Sequence, residues 1–192
     1  SPNIEILSSK IVSEFPSGFQ IEASVKSEFN IKSIAIRLRI GQQTRGAYEY
    51  LDFEEGKNVE AGLFWRTSTS ARYIPPGTII TYNLEITDIN NERLDTQQEQ
   101  FIYEDARFDW EEVTSTNVSV AYHGPVKTRA EKILSAITDT TSIMGPVLGA
   151  GTLEPIRVTM YNNVKEMLEA LPPGSSTIRS ELVTEGQAFT SI

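Results

Sequence analysis

His123 is the one imidazole in this 192-residue chain. A histidine titrates near neutral pH and ligates metals, so it is the first candidate for a general base or a metal ligand. It stands alone, however. A catalytic zinc site normally takes three protein ligands, and no spaced carboxylate motif accompanies His123. The plainer reading is a histidine at a strand end, just before Gly124 and Pro125, with a solvent or backbone partner. A denser group lies upstream: Asp105, Asp109, Glu111 and Glu112 flank Phe108 and Trp110. Paired carboxylates can act as acid and base, as in glycoside hydrolysis, but such pairs come from separate elements. Four acids in one stretch fit better with an interdomain joint, in which Phe108 and Trp110 pack and the acids stay solvated. Asp88, Asn90, Asn91, Glu92 and Asp95 carry the oxygen ligands that calcium takes, though not in EF-hand order. Hairpin turns favour the same residues, and a turn is the expectation.

Aromatic side chains are the remaining candidates. Tyr48, Tyr50, Phe53, Phe64, Trp65, Tyr73 and Tyr82 could line a sugar- or peptide-binding face, although most aromatics on sandwich strands are core. Tyr48 and Tyr50 are two apart, so they share one strand face, with Glu49 and Leu51 on the other. Gly145, Gly149 and Gly151 form no phosphate loop, because no Lys-Ser/Thr pair follows at the required spacing. No Gly-x-Ser-x-Gly elbow occurs. With no cysteine, thiol catalysis, disulfides and thiolate metal sites are excluded. With 17 basic against 26 acidic residues the net charge is −9. The charge is spread over both halves, with 10 basic and 16 acidic residues up to Asp105 and 7 and 10 after it. No basic cluster is present to neutralise phosphates, so nucleic acid is not an expected partner. No apolar run approaches the roughly 20 residues of a membrane-spanning helix.

The elements that must position these residues change character near residue 105. Before it, runs of alternating apolar residues recur: Ile4 to Leu7, Phe19 to Val25, Ile34 to Ile40, Tyr48 to Phe53, Val59 to Thr67, Ile79 to Ile89 and about Thr96 to Tyr103. Turn signals separate them: Pro16-Ser17-Gly18, Gly41-Gln42, Glu55-Gly56-Lys57-Asn58, Pro75-Pro76-Gly77 and Asn90-Asn91. Seven short strands in about 100 residues predict an antiparallel β-sandwich of the fibronectin/immunoglobulin-like kind. The missing cysteine pair favours the fibronectin plan. The last two runs read as a hairpin through Asp88 to Glu92.

After Asp105, Asn117 to Tyr122 reads as a strand. Val126 to about Ile143 reads as a helix on Val126, Ala130, Ile133, Leu134 and Ile137, stopped or kinked at Gly145-Pro146. Gly149 to Gly151 reads as a loop. Pro155 to Tyr161 reads as a strand, and Asn162 or Asn163 caps a helix carrying Val164, Met167, Leu168 and Leu171. Ser180 to Ile192 reads as extended. The fold class is therefore mainly β plus α+β: residues 1–105 as the sandwich, residues 106–192 as a partial β-α-β-α-β subdomain. The second part ends mid-pattern, and the expectation is that it continues beyond Ile192 in a larger domain.

A resemblance adds to this. Tyr73-Ile74-Pro75-Pro76-Gly77-Thr78-Ile79-Ile80-Thr81-Tyr82, followed by Glu85-Ile86-Thr87-Asp88, resembles the late sandwich strands of the bacterial peptidase-MA-like family. These are gluzincin-type metallohydrolases of the cell envelope, found in Chloroflexi-like bacteria. Phe101 to Trp110 resembles their linker into the catalytic domain. Val118 to Gly124 and Ile156 to Asn162 look like the opening strands of that domain, and Glu185 to Phe189 is similar to the strand before its zinc helix. The family's His-Glu-x-x-His motif is absent from the chain, so no catalytic or metal residue carries over. The resemblance implies the non-catalytic front of an envelope or secreted zinc peptidase, with zinc only in the parent protein. It also implies a peptide or protein substrate for that parent, and Gly186, Gln187, Ala188 and Phe189 as a substrate-pairing strand by β-augmentation. Localisation would be extracytoplasmic, with a signal or anchor segment outside these residues. An unpaired strand edge near Ile192 is expected to self-associate or to leave the last residues unordered. The competing reading is a non-enzymatic cell-surface adhesion or ligand-binding module, which exposed Tyr48 and Tyr50 would favour. A third is an enzyme using Asp109, Glu111 or Glu112 with His123.

Overall fold

The computed structural model describes residues 3–43, 46–69, 71–147 and 155–172, together with Gly186, Ala188 and Phe189. Its first unit is built from β1 (Ile4–Glu14), β2 (Gly18–Ser27), β3 (Ile31–Ile40), β4 (Ala47–Tyr50), β5 (Asn58–Arg66), β6 (Thr78–Asp88), β7 (Arg93–Asp95) and β8 (Glu99–Tyr103). Strands β1, β2 and β5 form one antiparallel sheet in that order. The facing sheet runs β4-β3-β6-β7, with β8 also on β6. Alternation supplies the core between them. Phe19, Ile21, Ala23 and Val25 point inward from β2, and Ile34, Ile36 and Leu38 from β3. Ile80, Tyr82, Leu84 and Ile86 come from β6. In constant-type immunoglobulin domains the fourth strand joins the sheet of the first two. Here β4 pairs with β3 instead, the fibronectin arrangement.

Two boundaries differ from the sequence expectation for physical reasons. The run from Tyr48 to Phe53 stops pairing with β3 at Tyr50, because the chain crosses between sheets. Asp52 already bridges Gly62 of β5. The run expected from Thr96 to Tyr103 forms a strand only from Glu99, as β8 on the near half of β6, while the preceding β7 (Arg93–Asp95) pairs with the far half. At the break the Thr96 hydroxyl accepts from the Leu84 amide at 2.8 Å, in place of a backbone carbonyl.

The second unit holds β9 (Trp110–Thr114), β10 (Val118–His123), α1 (Lys127–Val147), β11 (Ile156–Thr159) and α2 (Val164–Ala170). Its sheet order is β11-β10-β9. β10 and β11 are parallel, joined across α1, whereas β9 and β10 form an antiparallel hairpin. Strand β9 was not anticipated, since its acids Glu111 and Glu112 obscure the alternation. Helix α1 runs past the expected stop, through Gly145 and Pro146 to Val147. Pro146 stands in the last turn, where its missing amide costs one bond at a helix that ends anyway. A small second core lies under α1: Ala130, Ile133 and Leu134 cover Val120, Tyr122, Val158 and Met160. The loop expected at Gly149 to Gly151 lies outside the described residues. So does most of the segment expected to be extended after Ser180, whose described residues Gly186, Ala188 and Phe189 carry no strand.

Phe19 is fully buried and packs on Trp65, Phe101 and Tyr103 with ring centroids 5.6–6.1 Å apart. Phe19→Ala should cost about 3–5 kcal/mol, read as a lower urea midpoint with an unchanged transition slope.

Candidate functional site

Two places gather the chemistry-bearing residues. The first is where the chain leaves the sandwich. Tyr103 ends β8 inside the core, its hydroxyl 2.7 Å from Thr67 Oγ1, and burial pushes this phenol up to about 12. Two residues on, Asp105 is wholly buried yet fully partnered. Its Oδ1 accepts from the Arg107 amide at 3.1 Å and from Arg107 Nε at 2.9 Å. Its Oδ2 accepts from Arg107 Nη2 at 2.6 Å and from the Tyr161 hydroxyl at 2.9 Å. Burial and then the Asp105 charge hold the Tyr161 phenol far above its usual range. The Trp110 indole donates to the Asp105 carbonyl at 2.8 Å. Arg107 reaches onward to the Glu166 carbonyl and the Glu169 carboxylate, binding α2.

Strand register explains which side chains meet here. Trp110 lies opposite His123, Glu112 opposite Ala121, and Ala121 opposite Thr159. All of these point away from α1, toward the sandwich. Thr159 donates to the Pro76 carbonyl at 3.1 Å. Next to it Gly77 has φ +86°, and a Cβ there would stand 2.8 Å from Thr159 Oγ1. The turn and the close approach both require glycine.

His123 is the centre of this face. Phe108 stacks on its ring at 4.0 Å, and Trp110 meets it edge-on at 5.1 Å. In place of the expected solvent or backbone partner, its ring meets Glu166 of α2: Nε2 lies 3.0 Å from Glu166 Oε2 and must donate to the carboxylate. The Asn162 side-chain Nδ2 is 3.3 Å from Nδ1 and also donates to the His123 carbonyl. Both ring nitrogens are thus engaged. Asp109, Glu111 and Glu112 do not join His123. Asp109 is exposed, Glu111 accepts from Tyr122 at 2.9 Å on the helix side, and Glu112 pairs with Arg157 at 2.8 Å. Sequence reasoning missed Glu166, although a signal was present. Asn163-x-x-Glu166 is a capping box: the Asn163 side chain accepts the Glu166 amide, and the Glu166 carboxylate turns back to the Asn162 amide at 3.1 Å. Desolvation raises Glu166, but the Asn162 amide, the Asn163 side chain and His123 outweigh it and hold the carboxyl below its usual range.

The second place is the outer face of the β4-β3-β6-β7 sheet. Tyr48 and Tyr50 are 42% and 60% exposed and stand edge to face at 5.4 Å. Tyr48 lies opposite Arg37 and Tyr50 opposite Ala35, which continues to Glu85 and Asp95 across the sheet. Glu85 ties the face together. It accepts from Tyr48 at 3.0 Å, from Arg37 at 2.6 Å, and pairs with Arg93 at 2.9 Å. Arg37 also sits 5.6 Å over the Tyr48 ring. Desolvation and the Glu85 carboxylate push the Tyr48 phenol up to about 12, so it stays a donor.

The other candidates resolve locally. Asp88 is buried and its Oδ1 accepts the amides of Asn90 and Glu92, both at 2.9 Å, closing the β6–β7 turn. Among the described residues no group of three or more His, Asp or Glu side chains is arranged to hold a metal ion. Gly186 and Ala188 lie in irregular backbone, Gln187 lies outside the described residues, and Phe189 packs 5.5 Å from Tyr73. A shallow groove of about 220 Å³ beside Trp65, Arg72 and Tyr73 completes the surface features.

No protein-family model matches the chain, and no curated protein matches it. Among solved structures, a crystal structure of a Br derivative of BhCBM56 is similar, with TM-score 0.35 and 9% identity over 53% of this chain and 94% of that one. A likeness that distant carries no weight for fold or ligand, and the strand pairing described above stands without it.

Removing the Asp105 carboxylate would leave the Tyr161 hydroxyl and the partly exposed Arg107 guanidinium without their shared acceptor. Asp105→Ala should cost about 1–3 kcal/mol in urea unfolding at neutral pH. For Glu166 the folded pKa is depressed. The stability it adds is present above the unfolded value of about 4.3 and is lost as pH falls through the folded one. Wild type should therefore exceed Glu166→Gln in stability at pH 7, with the gap closing below about pH 4, as read by unfolding at stepped pH.

Proposed function

We propose that this chain is a non-catalytic binding module, and that the outer face of its β4-β3-β6-β7 sheet takes a carbohydrate. The observation that carries this is the exposed Tyr48–Tyr50 pair on the edge strand β4. Single exposed apolar side chains are ordinary. Two rings on one strand face, one of them locked by Glu85 and Arg37, offer a pre-set apolar surface beside hydrogen-bonding groups. That combination suits a sugar ring, whose C–H face stacks while its hydroxyls bond. The engagement of both His123 nitrogens by Glu166 and Asn162 supports a structural role for that residue rather than a catalytic one. In this reading the module belongs to a cell-surface or secreted protein.

One observation favours a second reading, in which the module precedes a zinc peptidase. The order β10–α1–β11–α2 agrees with the opening strands implied by the peptidase-MA-like resemblance. The described residues offer no set of ligands for zinc, so no catalytic step is assigned to this chain. In that reading the metal, the peptide substrate and the pairing role of Gly186 to Phe189 belong to the parent protein. A longer chain extending past Ile192 that hydrolyses no peptide in the presence of zinc would remove it.

Tyr50→Ala should lower retention on immobilised polysaccharide by at least about tenfold, with the unfolding midpoint shifted little because Tyr50 is exposed. Retention unchanged by Tyr50→Ala would remove the platform reading.

A further inference from the structure

Resting on the platform reading, we propose that its ligand is an anionic polysaccharide bearing carboxylates, a uronate chain rather than a neutral glycan. The argument is one of local charge. The protein as a whole carries −9, which would repel an acidic polymer. The outer sheet face departs from that average. Register places Arg37, Arg39 and Arg93 on it, against Glu85 and Asp95. Glu85 is already shared by Arg37 and Arg93, and Asp95 is paired with Arg93 at 2.9 Å. The two carboxylates are thus consumed within the face, leaving cationic character over.

Arg39 is where that character is concentrated. It is exposed, and two residues along β3 from Arg37 on the same face, a separation of roughly 6.6 Å. A chain lying along β4 and β3 would place one sugar on Tyr50 and Tyr48 and bring the carboxylate of a following unit to Arg39. The guanidinium plane matches a carboxylate bidentately. A neutral glycan would use the rings and leave Arg39 without a role.

The test is affinity electrophoresis of the full chain in gels containing polygalacturonate, alginate or hydroxyethyl cellulose, at about 0.05 M and 0.5 M salt. The expectation is retardation by a uronate polymer, weakened by salt because exposed charges are screened within a Debye length. Arg39→Gln should weaken it by about threefold to fivefold. Lys10→Gln, which removes the same charge from the other sheet, should change it little. Retardation by hydroxyethyl cellulose that depends on Tyr50, but not on Arg39 or salt, overturns the uronate inference and leaves the platform standing. Retardation by none of the three overturns this inference. Retardation by a uronate indifferent to Tyr50→Ala refutes the platform, and this inference with it.

Discussion

The fully buried carboxylate of Asp105 is the constraint on which the rest of the arrangement depends. A carboxylate removed from water is costly unless its lone pairs are satisfied. Its two oxygens are met by one arginine fork, one backbone amide and one tyrosine hydroxyl. Satisfying it draws two distant stretches of chain together: the short connection from β8 to β9, and Tyr161 beyond β11. Arg107, fixed by Asp105, then holds α2 through Glu166 and Glu169. Tyr73 of the sandwich donates to the carbonyl of Ala170, the last residue of α2, at 2.9 Å. The two units are therefore joined by a polar network around a buried carboxylate, with an aromatic wall of Phe108, Trp110 and Tyr161, not by a loose linker.

Glu85 plays the corresponding part on the outer sheet face. Its ion pairs with Arg37 and Arg93 tie β6 to β3 on one side and to β7 on the other. The same carboxylate orients Tyr48 of β4, so four strands of the face are linked through one side chain. The proposed use of this face as a binding surface needs no further organisation of the side chains beneath it.

The sandwich was legible because its strands obey a period of two and its turns carry proline, glycine and asparagine at the required positions. Residues such as Ile34, Ile36 and Leu38 can be assigned inward from spacing alone. The pairing of β4 with β3 was not legible, since it is set by where the chain crosses at Asp52. Glu166 could have been found, because Asn163-x-x-Glu166 is a local signal. The bond from Tyr161 to Asp105 could not. The two residues are 56 apart, and nothing near either one announces the other. Likewise His123 looks like a lone candidate for catalysis in one dimension, and only register shows that Trp110 and Phe108 enclose it.

The two networks are also separate in space along the sheet. The junction meets β6 at Gly77 and Thr78, where Gly77 donates to the Tyr103 carbonyl at 2.7 Å. The outer-face cluster around Glu85 lies about eight residues further along the same strand, roughly 26 Å at the rise of an extended chain, while Arg39, opposite Thr81, is about three residues from Thr78, roughly 10 Å. The core strands between Tyr48–Tyr50 and Asp105 are close-packed and resist deformation, and the side chains that hold the outer-face cluster and those that hold the junction are two separate sets.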